Sequence, residues 1–228
     1  MKNFAVIGLG RFGTSIAKFL EEEGGEVIAI DIDAGVVRDL ENQYTSVVEA
    51  DATDMDNLSD LGISDVDAAV VSIGTSMESG ILITLLLKEL KVPLVVAKAK
   101  SELHGRVLKK VGANLVVYPE EDAAQHLAKK LYWPGYSELE MTTGLSMVEV
   151  QAPKSFVNKT IAKINLRKKY EANIVAVKRK TPILDESNQA DFKETIIAPP
   201  SAETKIESGD SIVLVCPNHR VENFKDIK

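Results

Sequence analysis

Short apolar runs alternate with segments of helical periodicity through residues 1–133. Six runs have the length and composition of strands, and they cover residues 3–7, 26–31, 45–51, 68–73, 94–97 and 115–118. The segments between them place apolar residues three and four apart, which predicts helices over 14–23, 36–43, 77–90 and 103–111. The run at 68–73 is so apolar that both of its faces should be covered. This alternation predicts a Rossmann-like, doubly wound α/β fold with about six parallel strands.

The pattern changes after Tyr132-Trp133-Pro134-Gly135, where aromatic and helix-breaking residues follow the last helix. Residues 139–141 and 146–150 alternate like half-exposed strands, a short helix is expected around 161–166, and 173–178 reads as a strand. Residues 182–195 are polar and variable, and no strand or helix is predicted for them. The last strand, 211–216, contains Cys216. We therefore expect a nucleotide-binding domain at 1–133 and a smaller α+β domain at 138–222. Trp133 is either a packed linker residue or an anchor at an interface.

The charge and the cysteine count of the chain argue against several classes of function. The formal net charge of −7 argues against a nucleic-acid partner, which would require a clustered basic surface. A single cysteine excludes an internal disulfide and a cysteine zinc cluster. No segment has the roughly 18 apolar residues of a membrane span, and no signal-like leader opens the chain. We expect a cytoplasmic protein that reaches a membrane only through a partner.

The first strand runs directly into a glycine motif, Gly8-Leu9-Gly10-Arg11-Phe12-Gly13. Gly8 permits the tight turn, Gly10 lets the backbone approach a diphosphate, and Gly13 lets the helix pack close to the strand. The second strand ends in Asp31, 18 residues after Gly13, where a carboxylate can hold a ribose. Strand, turn, helix and acid together favour a nucleotide site over a purely structural glycine turn.

Other candidate ligand contacts follow the remaining strands. In open parallel sheets, ligands bind beyond the carboxyl ends of the strands. The residues predicted there, besides the glycine turn with its Phe12, are Asp31, Ile32, Asp51, Ala52, Thr53, Ile73, Gly74, Lys98 and Glu120. Any one of these acids is equally well explained as a solvated loop residue. Several polar strand ends beside one glycine turn favour a common site.

No catalytic constellation accompanies the nucleotide motif. An oxidoreductase on this scaffold needs a proton donor near the nicotinamide. His104 and His126 fall on helices among charged neighbours and are predicted to be surface residues, and His219 is close to the end of the sequence. Arg11, inside the turn, is suited to a bidentate contact with an exposed di- or triphosphate. The nucleotide is therefore expected to act as a signal or as a structural ligand, and we do not expect an enzyme.

Taken together, these residues resemble the RCK (KTN) proteins, which regulate potassium conductance. The resemblance rests on residues 6–13, Asp31, Asp51-Ala52-Thr53, Lys98-Ala99-Lys100 and Tyr118-Pro119-Glu120. It extends over nearly the whole chain, with a looser match from about residue 138 onwards. It is most similar to the cytosolic regulatory subunits of Ktr-type potassium uptake systems.

The resemblance implies a homo-oligomeric, octameric ring beneath a membrane potassium-translocating subunit, with ATP or ADP changing the shape of the ring. Arg11 would contact phosphates, Asp31 the ribose hydroxyls and Asp51-Ala52 the adenine. Lys98 would lie near the phosphates. Glu120 would help to bind Mg²⁺ or another cation between subunits. Trk-type relatives bind NAD(H) instead, so NAD(H) is the alternative ligand.

The resemblance also suggests a second ligand site in the C-terminal domain. Some relatives bind cyclic di-AMP there, at a dimer interface. The matching residues are Ile161, Leu166, Arg167, Asn173, Ile174 and Pro182. A plain hydrophobic dimer contact explains the same residues equally well.

Two alternatives for the whole chain stay open from the sequence. An NAD-dependent oxidoreductase would use the same glycine turn, and Asp31 would then select NAD over its 2′-phosphorylated form. A nucleotide-binding interaction module with a different partner would need no catalytic residues either.

Overall fold

The computed structural model describes residues 2–41, 43–44, 46–133, 135–142, 144–184 and 190–225. The chain divides into two compact units, residues 1–123 and 124–228. In the described part of the chain, no helix is both long enough and apolar enough to cross a bilayer.

The first unit is built on six parallel strands in the spatial order β3-β2-β1-β4-β5-β6. The strands are β1 (Asn3–Ile7), β2 (Glu26–Asp31), β3 (Val47–Glu49), β4 (Ala68–Val71), β5 (Leu94–Lys98) and β6 (Leu115–Val117). β1 pairs with β2 on one side and with β4 on the other. The strand order reverses at this point, where open α/β sheets bind their ligands.

Helices cover both faces of this sheet. They are α1 (Arg11–Glu22), α2 (Ala34–Leu40), α3 (Met55–Asp60), α4 (Met77–Glu89) and α5 (Glu102–Val111). A further helix, α6 (Pro119–Tyr132), buries none of its residues and crosses the division between the units. One core packs β1 and β2 against α1 around Val6, Ala17 and Val27. The other packs the opposite face against α3, α4 and α5 around Ile7, Leu87 and Leu108. The Rossmann-like fold predicted from the alternating pattern is confirmed.

The second unit is a five-stranded antiparallel sheet with short helices. Its strands are β7 (Ser137–Thr142), β8 (Leu145–Gln151), β9 (Asn173–Leu184), β10 (Ala190–Ile197) and β11 (Ser211–Pro217), in the order β10-β9-β11-β8-β7. The helices are α7 (Ile161–Ile164), α8 (Leu166–Tyr170) and α9 (Glu222–Lys225). Every second residue of β8 and β11 faces the core, and Cys216 is among these buried residues, as the strand pattern predicted.

The structure corrects the prediction for residues 182–195. The described residues of this segment belong to strands, because β9 continues to Leu184 and β10 begins at Ala190 and pairs antiparallel with β9. Residues 185–189, which belong to the same prediction, lie outside the described residues. β10 is an edge strand, and it is held in place by pairing with β9. Local sequence alone does not reveal that pairing.

Candidate functional site

A cavity of about 830 Å³ lies at the carboxyl ends of the parallel strands, and the first unit alone forms it. Of the residues predicted to contact a nucleotide, all but Gly13 line it: Gly8, Gly10, Arg11, Phe12, Asp31, Ile32, Asp51, Ala52, Thr53, Ile73, Gly74, Lys98 and Glu120. The volume falls within the range of small-molecule sites. Residues at or directly after the carboxyl ends of all six strands therefore meet around one space.

The glycines of the turn have three different surroundings. Gly8 has a φ of +93°, and a Cβ there would also meet Ile73 Cδ1 at 2.9 Å. A Cβ on Gly13 would lie 1.9 Å from the carbonyl oxygen of Gly8, so only glycine lets α1 pack this close to the turn. A Cβ on Gly10 would meet no atom within 4 Å. Gly10 thus faces open space at the N-terminus of α1, where the helix dipole favours an anion.

Asp31 joins the end of β2 to the glycine turn. Its Oδ2 accepts a 2.6 Å hydrogen bond from the backbone N–H of Leu9, and its Oδ1 accepts one of 3.0 Å from the N–H of Asp33. These bonds fix the carboxylate and the turn relative to each other. Each carboxylate oxygen has a second lone pair, so Asp31 can still accept a hydrogen bond from a ligand hydroxyl.

Asp51 is fixed in a similar way after β3. Its Oδ1 accepts hydrogen bonds from the backbone N–H of Thr53 at 2.9 Å and from the Thr53 hydroxyl at 2.6 Å. These bonds lower the pKa of the Asp51 carboxyl, the hydroxyl contributing most. Ala52, between Asp51 and Thr53, is buried. The backbone carbonyl oxygen of Asp51 accepts a hydrogen bond from the side-chain amide of Asn57. The turn is thus held rigidly in one shape at the cavity wall.

Lys98 and Glu120 form an ion pair on the other side of the cavity. The Lys98 ammonium donates to Glu120 Oε1 at 2.6 Å, and it lies 5.8 Å from the centre of the Phe12 ring. The hydrogen bond from Lys98 holds the pKa of the Glu120 carboxyl below its usual range. Among the described residues, no group of three or more His, Cys, Asp or Glu side chains is placed to hold a metal ion. Any cation at Glu120 would need ligands from outside this set.

The cavity has further lining residues that the sequence analysis missed. Thr75 and Ser79 lie at the start of α4, where Ser76 caps the helix by accepting a hydrogen bond from the Ser79 N–H. Polar residues directly after β4, in Gly74-Thr75-Ser76, are the signal that would have identified them.

The prediction that His104 is a surface residue is wrong. His104 is only 5% exposed, in the first turn of α5. Its Nδ1 accepts a hydrogen bond from the backbone N–H of Lys100, and its Nε2 has no partner among the described residues. Burial, with the nearby charge of Lys100, lowers its pKa. His126 is exposed on α6, as predicted.

The residues predicted for a second ligand lie elsewhere. Leu166 is buried in the core of the second unit, with Ile161 and Ile174 packed against that core. Arg167 and Asn173 are exposed nearby, on α8 and at the start of β9. Pro182 belongs to β9, but its side chain is outside the described part of the structure. The two described cavities are lined by other residues.

Comparison with known proteins identifies the family. The TrkA-N domain family matches residues 4–119, and the TrkA-C domain family matches residues 145–228. The chain belongs to the RCK family. It is 38% identical over 215 residues to the Ktr system potassium uptake protein C of Bacillus subtilis (strain 168), covering 94% of this chain and 91% of that protein.

Solved RCK structures share the fold. The GsuK channel bound to NAD matches with a TM-score of 0.52 and 24% identity, over 100% of this chain and 38% of that one. GsuK bound to ADP matches with a TM-score of 0.52 and 20% identity, over 57% of this chain and 34% of that one. In these two comparisons the match therefore covers about a third of the GsuK chain.

Proposed function

We propose that this RCK protein is the nucleotide-binding regulatory subunit of a potassium uptake system. The observation that carries the proposal is the cavity, where the glycine turn, Arg11, Asp31, Asp51 and Lys98 surround one ligand-sized space. The 38% identity to the Ktr system potassium uptake protein C over almost its whole length supports the same process. The partner is a potassium-translocating membrane subunit, and this chain works at the cytoplasmic face of the membrane.

ATP or ADP is the proposed ligand, and the residues fit it. The open space at Gly10 accepts phosphate beside the N-terminus of α1. Arg11 forms no ion pair within the described residues and is free to bind phosphate. Asp31 would hold the ribose hydroxyls, and the rigid Asp51-Ala52 turn would face the adenine.

A divalent cation would be held jointly by Glu120 and the phosphates. Mg²⁺ is commonly bound through one or two carboxylates and substrate phosphates, with water completing the shell. Glu120 is the right donor type, and its side chain is 72% exposed, so it can leave Lys98 without disturbing a core. The phosphates would then take its place beside Lys98.

The replacement of Glu120 by phosphate beside Lys98 would let a bound nucleotide regulate potassium uptake. A ligand shifts a conformational equilibrium only through contacts that differ between two states. The γ-phosphate, present in ATP and absent from ADP, reaches Lys98, Arg11 and the Glu120-bound cation. We expect the two nucleotides to favour different shapes of an octameric ring of these subunits.

NAD(H) is the alternative ligand. GsuK, which shares the fold, is bound to NAD in one structure and to ADP in another. Asp31 at the end of β2 is placed as in NAD sites, where a carboxylate binds the ribose. Such a protein would still be a regulator of potassium uptake, responding to redox state.

Cyclic di-AMP is proposed as a second ligand of the C-terminal domain. Arg167 on α8 and Asn173 at the start of β9 are exposed, and Ile161 and Ile174 pack against the core of the same unit. A guanidinium and an amide next to apolar residues suit a phosphate and a base, and dimerisation through this surface would complete the site.

A thermal-shift series tests the proposal. The full chain is heated with ATP, ADP, NADH or cyclic di-AMP, with and without Mg²⁺, because a ligand that binds only the native state raises the melting temperature. We expect ATP and ADP to stabilise the protein most. A larger effect of NADH would favour the alternative, NADH turnover would favour an oxidoreductase, and no stabilisation by any adenine nucleotide would reject a nucleotide sensor.

A further inference from the structure

A second cavity, of about 530 Å³, lies entirely within the second unit. It opens on the face of the antiparallel sheet that points away from the core. Its lining comes from the end of α6, the segment leading into β7, and strands β8 to β11: Lys130, Gly135, Tyr136, Ser137, Glu149, Gln151, Lys178, Lys180, Glu194, Gly209 and Ser211. We call it the sheet groove.

The sheet groove has an excess of positive charge in an acidic protein. Three lysines and two glutamates line it, whereas the whole chain has a net charge of −7. Lys178 donates to Glu149 Oε2 at 2.7 Å, and this hydrogen bond, with smaller contributions from the charges of Glu149 and Glu194, raises the pKa of Lys178. That pair therefore neutralises itself.

Two ammonium groups in the groove are left for a ligand. Lys130 and Lys180 form no ion pair with any residue that the structure describes, although Lys180 lies directly opposite Glu194 in the β9–β10 register. The side chains of Ser137, Gln151 and Ser211 add hydroxyl and amide groups along the same wall. The aromatic ring of Tyr136 is buried, so the groove offers no exposed ring on which a base could stack.

We propose that the sheet groove binds a small anion without an aromatic ring, a polycarboxylate or a phosphate ester, between Lys130 and Lys180. The volume suits a metabolite-sized ligand. Charge-assisted hydrogen bonds from the two ammonium groups would supply the affinity, and the hydroxyl and amide groups would orient the molecule. The absence of a stacking surface separates this ligand class from the nucleotides proposed for the first unit.

The only tryptophan of the chain is a local probe for this site. The rings of Trp133 and Tyr136 lie 6.1 Å apart, and Tyr136 lines the groove. Trp133 fluorescence is titrated with citrate and, separately, with ribose 5-phosphate, at constant ionic strength and with ADP at saturation. Constant ionic strength keeps electrostatic screening the same throughout each titration, and ADP is added to occupy the first cavity.

We expect a saturable change with at least one of the two probes. Lys130→Gln combined with Lys180→Gln should weaken binding by about tenfold or more. Lys154→Gln, an exposed lysine of the same unit that is not in the groove, is the matched control and should bind as the unchanged protein does. Neither substituted lysine forms an ion pair with a residue that the structure describes, so folding should be preserved, which circular dichroism checks.

Several results would overturn the proposal: no saturable response to either probe, equal affinity in the double variant, or an equal loss in Lys154→Gln. The citrate and ribose 5-phosphate titrations also distinguish a carboxylate from a phosphate ligand. None of these outcomes bears on nucleotide binding in the first unit, so the two proposals fail independently.

Discussion

Lys98 and Glu120 lie 2.6 Å apart at the nucleotide cavity and connect the end of β5 to the first turn of α6. The Lys98 side chain is 13% exposed and that of Glu120 is 72% exposed. The enclosed ammonium needs a negative partner, whereas the exposed carboxylate can turn to solvent at little cost. A phosphate that entered the cavity could replace Glu120 beside Lys98.

Glu120→Gln should remove the effect of Mg²⁺ on ATP binding. The amide keeps the shape of the side chain but loses the charge that would hold the cation. In the unchanged protein, ATP should raise the melting temperature more with Mg²⁺ than without it, and in the variant the two values should coincide. Glu121→Gln, the next acid of the same helical turn and outside the cavity lining, is the control. An undiminished Mg²⁺ effect in Glu120→Gln would contradict the role of Glu120.

Gly10→Ala and Gly13→Ala should separate binding from folding. A Cβ on Gly13 would overlap the Gly8 carbonyl, so Gly13→Ala should cost roughly 1–3 kcal/mol of unfolding free energy or more. A Cβ on Gly10 meets nothing, and the φ of −68° there is allowed for alanine, so Gly10→Ala should cost less than about 1 kcal/mol. It should nevertheless abolish nucleotide binding, because the methyl group fills the phosphate space. Urea unfolding and nucleotide titration measure the two effects, and tight ATP binding by Gly10→Ala would rule out this phosphate position.

Arg11→Ala should weaken ATP binding by about tenfold, and ADP binding by less. The expectation follows from the exposed side chain of Arg11, which lines the cavity at the start of α1 and forms no ion pair among the described residues. Lys18→Ala, which removes another exposed cation from the same helix, is the control. Calorimetric titration gives both affinities. Equal losses for the two nucleotides would mean that Arg11 does not sense the γ-phosphate.

The strands of the first unit could be predicted from the sequence because each is a short apolar run whose local pattern identifies it. A run such as Ala68–Val71 is buried on all four residues and ends at a turn, so its type does not depend on distant partners. β10 was missed for the opposite reason. Its residues alternate weakly, and it is a strand because it pairs with β9 from Ala190 to Ile197.

The sequence predicted which strand ends form the site, but not which side chains contact each other there. Strand ends in a parallel sheet must meet at one edge, which brought Asp31, Lys98 and Glu120 to the same cavity. The ion pair between Lys98 and Glu120, by contrast, depends on the orientation of α6. The burial of His104 had a readable signal, since it lies one helical turn before buried Leu108 on α5.

Arg179→Ala should destabilise the second unit by roughly 2–4 kcal/mol. Arg179 donates from Nε and Nη2 to the carboxylate of Asp210, which is 1% exposed, and from Nη1 to Glu207. Without the guanidinium, the buried carboxylate keeps, among the described residues, only the hydrogen bond from the Glu207 N–H. Lys159 is exposed and forms no ion pair in the part of the chain that the structure describes, so Lys159→Ala should change stability by less than about 0.5 kcal/mol. Urea unfolding compares them, and equal stabilities would show that the ion pair contributes nothing.

His104 should make the first unit less stable in mild acid. Its pKa is lowered in the folded state, so below the ordinary value of about 6.5 the unfolded chain binds more protons at this group than the folded chain does. Its contribution to stability is therefore complete above that pH and is lost as the pH falls towards the lowered pKa. Protonation would also break the hydrogen bond from the Lys100 N–H to Nδ1, in the segment that follows Lys98. His104→Gln keeps an acceptor but does not titrate, so its unfolding free energy should decline less between pH 7 and pH 5. The exposed residue His126, changed to Gln, is the control and should leave the decline unchanged; an equal decline in His104→Gln would show that this histidine is not its source.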